Sequence, residues 1–211
     1  MDQLEQGNYF SCPIYSIKKP EFLEPVRSVT EKYLEQSKAC MKIDNPITVM
    51  TGDYSHEEEV SEFSQYVSQT AWNILSSLGY DMDNLVTYFM EMWTQEHNFH
   101  SNMEQHVHGL GAQISAFYFL DVPEDGCKII VYDPRPAKVI TNLPLKDNNV
   151  ISPASSTIVF TPEAGMMFFA PSWLPHSFSR NLNKENPMRF VHMNISVMQK
   201  PEEPKHEVEI V

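Results

Sequence analysis

Cysteine is scarce in this chain. Cys12, Cys40 and Cys127 are an odd number, far apart, and none forms a CxxC pair. Such spacing argues against a disulfide framework and for a reducing compartment, so the expected location is cytoplasmic. Positive charge is also in short supply. Fifteen Lys and Arg face 28 Asp and Glu, which leaves a net charge of −13. A surface of that sign repels phosphate backbones and anionic lipid, and no Lys/Arg cluster offsets it, so neither nucleic acid nor a membrane is an expected partner. Long apolar runs are missing as well. Nothing approaches the roughly 18–20 residues of a membrane span, and the opening MDQLEQGNYF carries no apolar segment of the secretory kind.

What is present suits a packed domain. Hydrophobic residues make up 42% of the 211 positions and aromatics 11%, enough for a sizeable core. The expected organisation is one domain over 1–200, with helical support at about 20–80 and a barrel core at about 85–198. The tail 201–211 (PEEPKHEVEIV) reads as charged and flexible. Residues 8–18 alternate like a strand, and Pro20 opens a helix with Phe22, Leu23, Val26, Val29 and Tyr33 near helical spacing. A second apolar stripe runs over 56–78, where Ser55 and Glu58 form a candidate capping box and Gly79 a stop. Short β-like runs follow near 85–95, 112–121, 127–132, 157–160, 166–170 and 188–198. Helices followed by many short strands predict an α+β protein that is mainly β, a sandwich or small barrel with its N-terminal helices on one face. The stretch 135–156, rich in Pro, Asn and Ser, reads as a functional loop. Asn194-Ile195-Ser196 matches a glycosylation sequon, but its apolar surroundings make it a chance match.

Eight histidines stand out, four of them (His97, His100, His106, His108) within twelve residues. Neutral imidazole ligates first-row transition metals. On a strand His106 and His108 would share a face and could aim at one ion. About seventy residues later, Gly165 to His176 reads as an apolar strand entering a Pro-flanked turn that presents His176. A close pair with a distant third histidine can cap one face of an ion and leave positions open. Arg189 follows thirteen residues on, at the head of the run RFVHMNISV. A guanidinium there needs an anionic partner, either a structural acid or a carboxylate held beside the metal. If Arg189 points inward, His192, at odd offset, points out and is structural. Trp93 and Trp173 read as core or pocket wall, His97 and His100 as rim or solvent positions, and Arg135 as a substrate contact or a turn anchor.

Over roughly residues 85–198 the chain resembles the 2-oxoglutarate/Fe(II)-dependent oxygenases found in bacteria and phages. The resemblance rests on Trp93, His106-x-His108, Ser115-Ala-Phe-Tyr118-Phe-Leu, Pro123, Gly126, Asp133-Pro134-Arg135, Gly165…Pro171-Ser172…His176, and Arg189. It implies a double-stranded β-helix, that is, a jelly-roll or cupin-like barrel. It also implies Fe(II) and 2-oxoglutarate as cofactors and molecular oxygen as co-reactant. Decarboxylation of 2-oxoglutarate to succinate would be coupled to hydroxylation of a substrate: a peptidyl residue such as proline, a free amino acid or a small metabolite. Carried over by position, His106 and His176 become metal ligands and Arg189 the clamp on the far carboxylate. Tyr118 becomes a candidate donor to the keto acid, equally readable as a barrel-wall aromatic. Position 108 departs from the superfamily, which places a carboxylate there. Either His108 is the third ligand, or Asp133 supplies the carboxylate and His108 stands behind it. His100, Trp173 and Arg135 fall where the substrate would pass. A homodimer is compatible, and phage origin would place the protein in the host cytoplasm.

Two rival readings remain open at this point. His106-x-His108 followed by Gln113, with Gly165…Pro171…His176, also mimics the two cupin motifs, so a three-histidine dioxygenase without 2-oxoglutarate is one. A non-catalytic cupin-like binding module is the other.

Overall fold

Pro20 opens the helical part as expected. A 3-10 turn, Pro20–Phe22, runs directly into helix α1, Leu23–Cys40, because the proline ring pre-sets a helical φ and its missing N–H has no partner to lose there. The computed structural model describes residues 4–201 apart from 6, 8 and 142, so the tail expected at 201–211 lies outside the described residues save its first position. Helix α1 buries Val26, Val29, Thr30 and Leu34, and helix α2, Ser61–Ser77, buries Phe63, Val67, Ala71, Ile74 and Leu75. These are the i, i+3, i+4 stripes of helices lying on a surface. Two details differ from the sequence expectation. Helix α2 starts later, after a 3-10 turn at Glu58–Val60, and the capping box is not formed, because the Ser55 hydroxyl donates to Asp53 instead. Gly79 ends the helix at φ +96°, a left-handed conformation that costs glycine nothing.

Ten strands are present among the described residues, one before α1, one between the helices and eight after α2: β1 (Tyr15–Lys18), β2 (Thr48–Met50), β3 (Leu85–His97), β4 (Met103–His106), β5 (Ile114–Asp121), β6 (Ile129–Tyr132), β7 (Thr157–Phe160), β8 (Met166–Pro171), β9 (His176–Phe178) and β10 (Met188–Gln199). They form a six-stranded sheet, β1-β8-β5-β10-β3-β2, and a four-stranded sheet, β4-β9-β6-β7, in which every neighbouring pair is antiparallel. This is the double-stranded β-helix, with both helices against the outer face of the larger sheet. Strands β2, β4 and β9, of three or four residues each, lie outside the runs expected from sequence. The stretch 135–156 holds only a 3-10 turn, Pro136–Ile140, and no strand.

The larger sheet is buried on both faces, which fixes where its side chains point. On the helix side, Ala116, Tyr118 and Leu120 of β5, with Val191, Met193 and Ile195 of β10, pack against Val26, Phe63 and Val67. On the inner side, Phe117, Phe119 and Phe190 meet Ile129, Val131 and Phe178 of the smaller sheet. Each such ring contributes roughly 1.5–3 kcal/mol by leaving water. Among the described residues no helix is long and apolar enough to cross a membrane.

Candidate functional site

Strand β4 ends on His106 and strand β9 begins on His176, and the two residues pair directly across the antiparallel ladder. Their rings come within 4.5 Å, although 70 residues of chain separate them. His108 lies just past the end of β4 rather than within a strand. Its amide donates to the Ser172 carbonyl, which ties it to the Pro-flanked turn that delivers His176. That turn is itself anchored: the Ser172 amide donates to Gln113 O and its hydroxyl to Ala112 O at 2.6 Å. The two histidines therefore do not share a strand face: His106 is a strand end and His108 sits on a pinned loop.

One nitrogen from each of His106, His108 and His176 lies within 4.8 Å of the other two. The Nδ1 groups of His106 and His176 donate to the carbonyls of Glu104 (2.8 Å) and Leu174 (2.9 Å). Those bonds fix the tautomer and leave both Nε2 lone pairs facing inward, as in metal-ligating histidines. His108 Nε2 sits 3.2 Å from His176 Nε2. Two nitrogens about 2.1 Å from a common ion and roughly 100° apart would be about 3.2 Å from each other. Burial pushes the pKa of His108 and of His176 down to about 4, and repulsion from the neighbouring imidazoles adds to it, so both rings are neutral at pH 7 and ready to ligate. The donor set fits a divalent transition ion, which would keep its full charge among three neutral ligands.

Asp133, the alternative to His108, is engaged elsewhere. Its Oδ1 accepts from the Arg135 backbone and Nε, and its Oδ2 accepts from Arg135 Nη2 and Lys138 Nζ, both at 2.7 Å. These cations hold the carboxyl well below the usual carboxylate range. Arg135 thus anchors its own turn, and it also lines a cavity of about 560 Å³ with Cys12, Ile14 and Leu174. His100 is exposed, with its ring on Phe99, and Trp173 is half exposed on the turn before His176.

Two expected cofactor contacts are corrected by the geometry. Arg189 points to the helix side of β10, not into the barrel. Its Nε and Nη2 donate to Glu96 at 2.8 and 2.7 Å, and Nη1 donates to Glu31 of α1 at 2.5 Å. The structural acid was the right partner. Tyr118 shares that side of the sheet: its ring packs on Phe63, and its hydroxyl donates to the Lys19 carbonyl at 2.7 Å. Burial raises that phenol's pKa. Neither side chain faces the histidines.

The same parity turns His192 inward, against expectation. It is 2% exposed, with its ring 4.7 Å from His108 and 4.3 Å from Trp93. His97, expected at the rim, is also buried, and bonds Gln95 through Nε2 at 3.0 Å. A strand buried on both faces carries no sequence signal for which alternate set points in, so His192 was legible only as one of two phases.

Residues 91–191 match the family model described as "Putative 2OG-Fe(II) oxygenase". No curated protein sequence matches the chain. Solved structures with the same fold include a Pseudomonas putida prolyl-4-hydroxylase, which is 12% identical with a TM-score of 0.56 over 87% of this chain and 93% of that one. HygX from Streptomyces hygroscopicus, solved with nickel and 2-oxoglutarate, is 15% identical with a TM-score of 0.54 over 88% and 83%. The carbocyclase SnoK of nogalamycin biosynthesis is 13% identical with a TM-score of 0.60 over 94% and 86%.

Proposed function

We propose, starting from residues 91–191 as those of a 2OG-Fe(II) oxygenase, that the chain holds Fe(II) on His106, His108 and His176 and hydroxylates a peptidyl substrate. Fe(II) and 2-oxoglutarate are the cofactors of this enzyme class, and together with oxygen they supply the oxidising step, which releases succinate and CO₂. The observation that carries the assignment of the metal centre is the convergence of three imidazole nitrogens within 4.8 Å, two of them oriented by backbone carbonyls.

The chain's own contribution is placement. His106 and His176 are aligned by ladder pairing, and His108 by its amide bond to Ser172. The keto acid also finds a polar group with an unmet hydrogen bond in the interior. The buried Ser115 hydroxyl has one contact among the described residues, at 3.5 Å, and so keeps a donor to offer. Around the histidines the surface is apolar and open, with Val107, Leu110 and Trp173 exposed by 52%, 98% and 49%. Such a rim suits a peptide lying across the site better than a free amino acid, which favours the peptidyl member of the substrate classes considered. Free Cys12, Cys40 and Cys127 suit the reducing cytoplasm, where ferrous iron also persists.

The test is an anaerobic titration of the full chain with Fe(II) and then 2-oxoglutarate, followed by admission of air. A saturable visible charge-transfer band that disappears in air with succinate formed is the expected result. Iron bound with neither band nor succinate would favour a three-histidine dioxygenase that does without the keto acid. No iron bound would favour a binding module. Peptides incubated with the active enzyme should gain the mass of one oxygen atom, and Leu110→Ser with Trp173→Ala should reduce that gain while sparing the band.

A further inference from the structure

With Arg189 turned away, the interior needs another group to meet the second carboxylate of 2-oxoglutarate. Arg135 and Lys138, in the loop after β6, are paired with Asp133, and Arg27, on the helix side, binds Asp121 and the Leu120 carbonyl, so none of them is a substitute. The titratable groups that act on His108, His176 and His192 are neighbouring imidazoles.

We infer that His192, seconded by Ser115, receives the far carboxylate of 2-oxoglutarate inside the barrel, in the place the family resemblance assigns to Arg189. This rests on the reading above that the keto acid is the cosubstrate. Three observations support it. First, His192 stands on the strand of Arg189 but on its inner face, is almost wholly buried, and is edge-on to His108.

Second, the direction of its hydrogen bonds is set from below. His97 Nε2–H donates to Gln95 Oε1 at 3.0 Å, which leaves Gln95 Nε2–H to donate to His192 Nδ1. Cys127, 3.6 Å from His97 Nδ1, donates its S–H at the bottom of the chain. Every donor in the relay Cys127–His97–Gln95–His192 thus points the same way, and bonds aligned in this manner polarise one another. The relay ends with the ring proton on His192 Nε2, directed at Ser115 Oγ.

Third, that end is slack. Both contacts of His192 are 3.5 Å, beyond the usual 2.7–3.2 Å, and Ser115 contacts no other side chain among the described residues. A buried N–H and O–H left underused side by side are what a carboxylate oxygen requires. Trp93 and Phe117, with rings 4.3 and 4.7 Å from His192, hold the imidazole in that orientation. Recognition through neutral donors is weaker than through a guanidinium fork. The chain therefore prefers 2-oxoglutarate over keto acids lacking the second carboxylate by a modest factor, and with little dependence on salt.

The experiment compares two ligands, 2-oxoglutarate and 2-oxobutyrate, which share the chelating head but differ in the far carboxylate. Each is titrated anaerobically into Fe(II)-loaded parent, His192→Leu, His192→Gln and Ser115→Ala, with the charge-transfer band as the binding readout. His192→Leu should raise half-saturation for 2-oxoglutarate about tenfold or more and leave 2-oxobutyrate unchanged. His192→Gln, which keeps a donor, should recover part of the loss, and Ser115→Ala should show a smaller loss of the same kind. Unchanged discrimination in His192→Gln and Ser115→Ala overturns the inference even if His192→Leu does not fold, and so does an equal loss of both ligands in His192→Leu. A parent that discriminates while its His192 variants still do so sinks the inference alone. A parent that binds iron but neither keto acid sinks the functional reading with it.

Discussion

A single imidazole in this barrel is worth more for where its two nitrogens go than for its presence in a motif. His106 and His176 each spend Nδ1 on the carbonyl two residues earlier, so that Nε2 is left for an ion. His106→Ala and His176→Ala should each abolish Fe(II) binding, measured by metal analysis after anaerobic dialysis, while circular dichroism stays that of the parent. Arg189 shows the opposite case. Its guanidinium bridges buried Glu96 to Glu31 on α1, so Arg189→Ala should act on stability and not on the cosubstrate. Lys38 remains on Glu96 at 2.7 Å and softens the loss. The expected cost is about 1–3 kcal/mol in a urea melt, with 2-oxoglutarate binding unaltered. A Arg189→Ala variant that bound the keto acid tenfold more weakly would restore Arg189 as the clamp.

Elements place these residues by pairing register and by one anchored turn. The segment 172–175 between β8 and β9 is neither helix nor strand, yet both ends of the metal centre hang on it: it leads into His176, and its Ser172 carbonyl accepts from the His108 amide. Ser172→Ala would leave the Ala112 carbonyl without its 2.6 Å partner inside the protein. A destabilisation of about 1–2 kcal/mol is expected, seen as a lower denaturant midpoint at constant m-value. Iron affinity should fall with it, because His108 and His176 lose their common support; a stability loss with iron affinity intact would mean the turn does not organise the site. Strand β10 makes the second case. Its inner and outer sets are both apolar over most of its length, Phe190 against Val191 and Met193, so burial alone could not say which set carried the functional residue.

At the scale of the whole molecule, four histidines are held neutral by burial. His97, His108 and His176 have pKa values pushed down to about 4, and His192 lies well below its ordinary value. In the unfolded chain each would take a proton near pH 6.5. Between about pH 6.5 and 4 the unfolded state therefore binds more protons than the folded one, so stability is full above that window and falls as pH drops through it. Thermal melts of the metal-free protein from pH 7.5 to 4.5 should show a Tm that declines steadily below about 6.5, and a flat profile would contradict the buried, neutral arrangement. The amino-acid sequence by itself determined a good deal. The two helical stripes, the strand-rich second half, the resemblance to 2OG-Fe(II) oxygenases and the three candidate metal histidines all rest on local periodicity or on spacing along the chain. Tertiary structure decided the rest. It set Arg189 and Tyr118 against the helices, turned His192 and His97 inward, and tied Asp133 to Arg135 and Lys138. The reason lies in the period-two geometry of a strand, which fixes which residues share a face but not which face is inside. In a sheet covered on both sides, only the packed partner layers, helices on one side and the smaller sheet on the other, settle that choice.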